Sequence, residues 1–187
     1  MDGLVAVLTY RRPEIAQRCL ASLESSSVPV VLVYPRDERG KHAYHGEMIE
    51  LPPSLVGVGP GAPKAFIARL AHDSGLDFVV FVDDDVVFKD GASVKLLEEA
   101  FSSHPNLAAV QARHAFKSVQ LFASDPYLRY CSNPACAVAI RLNPNFEVGG
   151  FRETECRGED YELNARLRIA GYLLASHSLV VIKSNNY

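Results

Sequence analysis

The chain has 187 residues, 48% hydrophobic and 22% charged, with a formal net charge of -3. These values suit one globular domain with a sizeable core and exclude a global attraction to nucleic acid. No run approaches the roughly 18 apolar residues that cross a bilayer, and Met1 to Thr9 lacks the basic start and long apolar stretch of a signal peptide, so a cytoplasmic location is expected.

Leu4 to Leu8 is a short apolar run and predicts the first strand. Pro13 follows, and then Ile15, Ala16, Cys19, Leu20 and Leu23 recur at helical spacing. Val30 to Val33 repeats the strand signal. The polar stretch from Tyr34 to Gly61 predicts a long irregular connection with one short strand near Met48 to Leu51, and loops of this length commonly carry function. Pro63 suits the first turn of a helix that runs to about Asp73. After Gly75, Phe78 to Val82 is an unbroken apolar run of the kind that a strand buried on both faces requires. Asp90 predicts the N-cap of a helix to about Ser103. Leu107 to Ala112 and Ala135 to Arg141 predict further strands, and Tyr161 to Ala170 the last helix. The alternation predicts an α/β fold, with helices packed over a sheet and no domain boundary between residues 1 and 187.

The cysteines, Cys19, Cys131, Cys136 and Cys156, form no CxxC pair and are expected as free thiols. Arg36, Arg39, Lys41, His42 and His45 form one basic stretch, and Arg113, His114 and Lys117 another; both are expected as solvated loops.

Asp83, Asp84 and Asp85 stand at the carboxyl end of the apolar strand, where ligands of open α/β sheets bind. Three successive carboxylates beside an apolar core repel one another and call for a cation. Residues i and i+2 of an extended segment point the same way, so Asp83 and Asp85 can share one ion while Asp84 faces elsewhere. Their hard oxygens suit Mg²⁺ or Mn²⁺.

Gly57 to Ala62 fits G-x-G-x-x-A, but Pro60 and Pro63 interrupt it and exclude a dinucleotide site; Ala65 after Lys64 excludes a P-loop. Lys64 is left in the first turn of a helix, as a phosphate-side cation or an exposed lysine. Glu159 and Asp160 precede the last helix, where Asp160 serves as a helix cap or as an ionised proton acceptor.

Taken together, Leu4 to Pro13, Phe78 to Asp85, Val148-Gly149-Gly150-Phe151-Arg152-Glu153, Gly158 to Leu163, and Arg166-Leu167 with Gly171-Tyr172 resemble the GT-A superfamily of glycosyltransferases, above all its large inverting family two. The resemblance covers nearly the whole chain. It implies a single GT-A-like domain with a mixed, mostly parallel sheet and helices on both faces. The activity it implies is transfer of a sugar from a nucleotide diphosphate sugar to a hydroxyl, with Mn²⁺ or Mg²⁺ as cofactor. The Asp83–Asp85 segment is similar to the family's DxD motif.

By the same resemblance, Thr9, Tyr10, Asp37, Lys64, Asp83 and Asp84 would surround the nucleotide sugar. Asp83 and Asp85 would hold the metal, with His177 as an additional ligand. The Glu159–Asp160 pair would supply the catalytic base, and Gly149, Gly150 and Arg152 would face the acceptor. Two positions depart from the family pattern: Tyr34-Pro35-Arg36-Asp37 replaces its acidic cluster, and Ala65 its usual asparagine. The implied acceptor is a saccharide or a hydroxymethylated pyrimidine in DNA, the latter because the chain looks like reduced phage enzymes and has arginines that could grip phosphates. The alternatives are a nucleotidyltransferase, whose glycine-rich opening loop is missing from Thr9 to Pro13, and a non-catalytic nucleotide- or polysaccharide-binding module, which would not need both Asp85 and Asp160.

Overall fold

The computed structural model describes residues 1–114, 121–122, 125–131, 134–153 and 158–184. In chain order, β1 (Gly3–Leu8), α1 (Pro13–Ser22), β2 (Val30–Pro35), β3 (Glu47–Leu51), α2 (Gly61–Asp73) and β4 (Phe78–Asp83) build the first half. There follow β5 (Val86–Phe88), α3 (Lys95–Ser103), β6 (Leu107–His114), β7 (Leu121–Phe122), β8 (Asp125–Tyr130) and β9 (Ala137–Arg141). The chain then forms α4 (Leu142–Glu147), α5 (Glu159–Ile169) and the long β10 (Leu173–Ser184).

The strands join in the order β3-β2-β1-β4-β9-β6-β10-β8-β7, with β5 paired to the end of β10. β1 is flanked by parallel neighbours, Val5 lying opposite Val30 of β2 and Val80 of β4. β9 runs antiparallel between β4 and β6, and β10 lies parallel to β6. Strands β1, β2, β3, β4, β6 and β10 therefore share one direction, which gives the mixed, mostly parallel sheet expected of the sequence.

A strand with neighbours on both edges and helices on both faces has no wet side, so Phe78 to Val82 reads as a continuous apolar run. Val5, Val7 and Val80 face α1 and α3, meeting Cys19, Leu20, Leu97 and Phe101. Ala6, Val79 and Phe81 face α2 and α5, meeting Ile67, Ala68, Leu163 and Leu167. Leu163 anchors the helix that carries Asp160 and is fully buried. Leu163→Ala is expected to cost about 2–5 kcal/mol of stability, the usual range for such a truncation, and urea denaturation measures it.

Several elements depart from the expectation. Asp90 caps a short 3-10 turn, Gly91–Val94, through the amide of Ala92, and that turn runs straight into α3. Strands β5, β7, β8 and β10 and the short α4 have no counterpart in the sequence reading. β10 bends between His177 and Val181, where its register against β6 shifts, and its end then pairs Ser184 with Val86 just beyond the acidic triplet.

The chain leaves β1 for β2 and β3 on one side and returns to β4 on the other. Such a divergence opens a crevice beyond the carboxyl ends of the strands, because the loops leave in opposite directions. Thr9 and Asp84 are the first residues past the ends of those two strands. No helix among the described residues is long and apolar enough to cross a membrane.

Candidate active site

The crevice holds a cavity of about 430 Å³. Its apolar lining comes from Leu8, Tyr10, Pro35, Leu51, Leu55 and Val56, and its charged lining from Arg12, Lys64, Asp83, Asp84 and Asp85. Gly57, Gly59 and Pro60 supply the loop that closes one side. Gly57 and Gly59 have φ of 79° and 102°, a region that residues with a Cβ rarely adopt, so the glycines in this loop serve its path and not a dinucleotide fingerprint.

Asp83 ends β4, its amide donating to the Cys136 carbonyl at 2.8 Å. Burial pushes its carboxyl up to about 6; Lys64 opposes the shift, and Asp160, Asp85 and Asp84 add to it. Asp84 and Asp85 form a turn and not an extended segment, yet the middle carboxylate is still withdrawn from its neighbours. Asp84 is fully buried, accepts from Thr9 Oγ1 at 2.8 Å and meets the Arg12 guanidinium at 2.5 Å. Burial raises its pKa as well, against the Thr9 hydrogen bond and Arg12. Asp84 thus braces the β1 and β4 loops against each other while it lines the cavity. Thr9 lines the cavity with its hydroxyl given to Asp84, and Tyr10 stands half exposed at the rim under the Arg11 guanidinium.

Lys64 lines the cavity and is not the exposed lysine that a first helical turn allowed. It is buried, and its ammonium lies 2.7 Å from Glu159 Oε1 and 2.7 Å from Asp160 Oδ1. Burial works against the charge on Lys64, but Asp160 and Glu159 outweigh it and hold its pKa above the ordinary lysine value. Asp160 is raised by burial, with Lys64 opposing. The N-cap of α5 is Gly158, with φ of 81° and no side-chain cap, so Asp160 sits inside the first turn and is not the cap. Lys64 lines the cavity that contains Asp83 and Asp85, and its ammonium joins that wall to Asp160, which is not itself part of the lining.

Arg166, on the same helix as Asp160, holds the turn that follows α4. It pairs with Glu162 at 2.5 Å, donates to the Gly150 carbonyl at 2.6 Å and also reaches the Val148 carbonyl. Gly149 and Gly150 both have positive φ, and Arg152 pairs with Glu162 at 3.1 Å. Asn164 fastens α5 to the segment before β9 through the Pro134 carbonyl at 2.9 Å.

Two expected site residues lie elsewhere. Asp37 is exposed and pairs with Arg11 at 3.7 Å, outside the cavity lining. Its neighbour Glu38 turns inward instead, fully buried, accepting from the Arg11 amide and pairing with His42 at 2.9 Å. His177 lies on β10, three strands from Asp83 across β9 and β6, and spacings of ~4.8 Å between strands put it ~14 Å away. Its ring is buried and stacks on Tyr127. Among the described residues no three His, Cys, Asp or Glu side chains are grouped so as to hold a metal ion together.

Cys19, Cys131 and Cys136 are free thiols, as expected, while Cys156 and Lys117 lie outside the described residues. The basic stretch after β2 is largely engaged: Arg36 and Arg39 both pair with Glu50, at 3.4 and 2.9 Å, and His42 with Glu38.

No protein-family model and no curated protein matches the sequence. Solved structures do match the fold. Residues 1–349 of S. aureus TarS, in complex with UDP-GlcNAc, align over 97% of this chain at a TM-score of 0.66 and 17% identity. The mannosyltransferase PcManGT from Pyrobaculum calidifontis, in complex with GDP-Man and Mn²⁺, aligns over 97% at a TM-score of 0.73 and 16% identity. The chain spans 57% and 56% of the length of those two proteins. The fold is the GT-A glycosyltransferase fold, and these structural neighbours bind nucleotide sugars.

Proposed function

We propose that the chain is a glycosyltransferase that takes a sugar from a nucleotide diphosphate donor and places it on a hydroxyl acceptor with inversion at the anomeric carbon. One observation carries this reading: Lys64 lines the cavity that contains Asp83 and Asp85, and its ammonium meets a buried carboxylate on α5 that does not cap its helix. A nucleotide-binding module has no use for that second carboxylate.

The nucleoside occupies the apolar lining between Tyr10, Pro35 and Leu51, where a base and ribose bury against side chains and loop backbone. Its diphosphate reaches Asp83, Asp85 and Arg12. Asp83 and Asp85 fit a divalent ion: both offer hard oxygens, and Asp83, whose pKa is raised first by burial, also has the carboxylates of Asp160, Asp85 and Asp84 adding to that shift. When bound there, Mn²⁺ or Mg²⁺ neutralises the departing diphosphate. Asp160 removes the acceptor proton as that oxygen forms its bond to the anomeric carbon and the bond to the diphosphate oxygen breaks. Burial that raises its pKa strengthens it as a base.

The acceptor favoured is a saccharide hydroxyl. Arg36 and Arg39, in the basic stretch after β2, both pair with Glu50, which lessens their availability to a DNA backbone. The deciding experiment is a calorimetric and mass-spectrometric screen with UDP- and GDP-sugars, Mn²⁺, and both saccharide and hydroxymethylcytosine-containing duplex acceptors. Metal-dependent donor binding with a glycosylated saccharide is the expected outcome. A glycosylated nucleoside would move the acceptor to DNA, and no binding of any donor would overturn the function.

A further inference from the structure

The lysine at the cavity wall has its ammonium engaged by carboxylates. Lys64 spends its ammonium on two adjacent carboxylates, each at 2.7 Å, with its side chain 4% exposed and the Phe151 ring 5.7 Å away. Glu159 and Asp160 are consecutive and largely buried, and Asp83 adds negative charge nearby. If Lys64 swung to a diphosphate, two neighbouring buried carboxylates would lose their counter-ion, an arrangement that a folded protein avoids. A lysine ammonium has three donors, and two are committed here. Arg12 is different: its guanidinium is half exposed at the same cavity and has donors to spare beyond the Asp84 contact.

We propose that Lys64 is a positioning residue for the catalytic base. It fixes Asp160 Oδ1 against α2, so that the other carboxylate oxygen faces the acceptor, while Arg12 serves the diphosphate. This inference rests on the glycosyltransferase reading above. The geometry also explains why the first turn of α2 is coupled to the first turn of α5. The loop from Gly57 to Pro60 that lines the cavity leads into the first turn of α2, which carries Lys64, so the cavity wall and the base are joined through one element.

The test is a double-mutant comparison: Lys64→Met and Lys64→Arg, each in the wild-type and Asp160→Asn backgrounds, with kcat, donor KM and calorimetric donor affinity. Lys64→Met is expected to lower kcat by about 10²-fold with donor affinity kept within about threefold. In the Asp160→Asn background the same change should cost less than about threefold, because a residue that acts through Asp160 has nothing left to position. A donor affinity weakened about tenfold or more, or an undiminished loss in the Asp160→Asn background, would overturn the proposal and make Lys64 a diphosphate ligand.

If Lys64→Met does not fold, Lys64→Arg carries the test: it keeps the charge but displaces Asp160, so kcat falls at unchanged donor affinity. Full activity in that variant overturns the positioning role. A wild-type protein that binds no donor sinks the transferase reading instead. The contact itself is then read by urea denaturation of the same variants, where additive losses from Lys64→Met and Asp160→Asn would overturn the clamp and coupled losses would uphold it.

Discussion

Asp160→Asn lowers the rate of transfer by about two to four orders of magnitude, the usual size of a lost general base, while donor affinity is kept. The substitution is clean because of where Asp160 stands. It lies inside the first turn of α5, behind the Gly158 cap, so no cap is lost. The asparagine oxygen can still accept from Lys64, and Glu159 keeps its own contact at 2.7 Å, so the ammonium remains paired. What disappears is the capacity to take a proton. Steady-state transfer rates beside calorimetric donor titration check this. Unchanged turnover would reduce Asp160 to a partner of Lys64, and a loss of donor binding in step with a loss of stability would show that the variant disturbs the fold and not the chemistry.

The parts of the site that proved legible in the sequence are those whose signal is local. Phe78 to Val82 announces a doubly covered strand because no polar residue interrupts it, and the triplet then falls at its end by chain order alone. Gly158 to Leu163 marks a helix start with acidic residues in its first turn. Residues that depend on distant partners were not legible. Lys64 meets Glu159 and Asp160 across 95 and 96 residues, and nothing in Pro63-Lys64-Ala65 tells a buried lysine from an exposed one.

Asp37 and Glu38 show the same limit at single-residue scale. Both are carboxylates in a polar loop, and only the inward path of the 3-10 turn decides that Glu38 holds the Arg11 amide while Asp37 faces solvent. Strand β10 escaped because Ala175, Ser176, His177 and Ser178 break its alternation and because its partners, β6, β8 and β5, are all far along the chain.

Removing divalent metal is expected to weaken donor binding by about 10²-fold, or about 2.7 kcal/mol, since the diphosphate would then face Asp83 and Asp85 as bare negative charge. Asp85→Ala should remove most of this dependence without unfolding the chain, because Asp85 stands in a turn at the cavity lining and not within the sheet. Acidity supplies an independent check. Asp83 holds its proton up to about 6 in the metal-free protein, and a metal ion binds only the ionised carboxylate, so metal-dependent donor affinity should fall as pH drops below about 6 and level off above it. Stability runs the opposite way. The unfolded chain releases this proton near the ordinary value of 3.8 and the folded one near 6, so between those values the folded state holds the extra proton. Asp83 therefore favours the metal-free fold at low pH, and that contribution is lost as pH rises through about 6, where Mn²⁺ or Mg²⁺ should restore it. Thermal unfolding with EDTA and with Mn²⁺ at pH 5 and pH 7 measures both trends. A shift in Tm on adding metal that is large at pH 7 and small at pH 5 is the expected pattern, and equal donor affinity with and without chelator would overturn the metal role of Asp83 and Asp85.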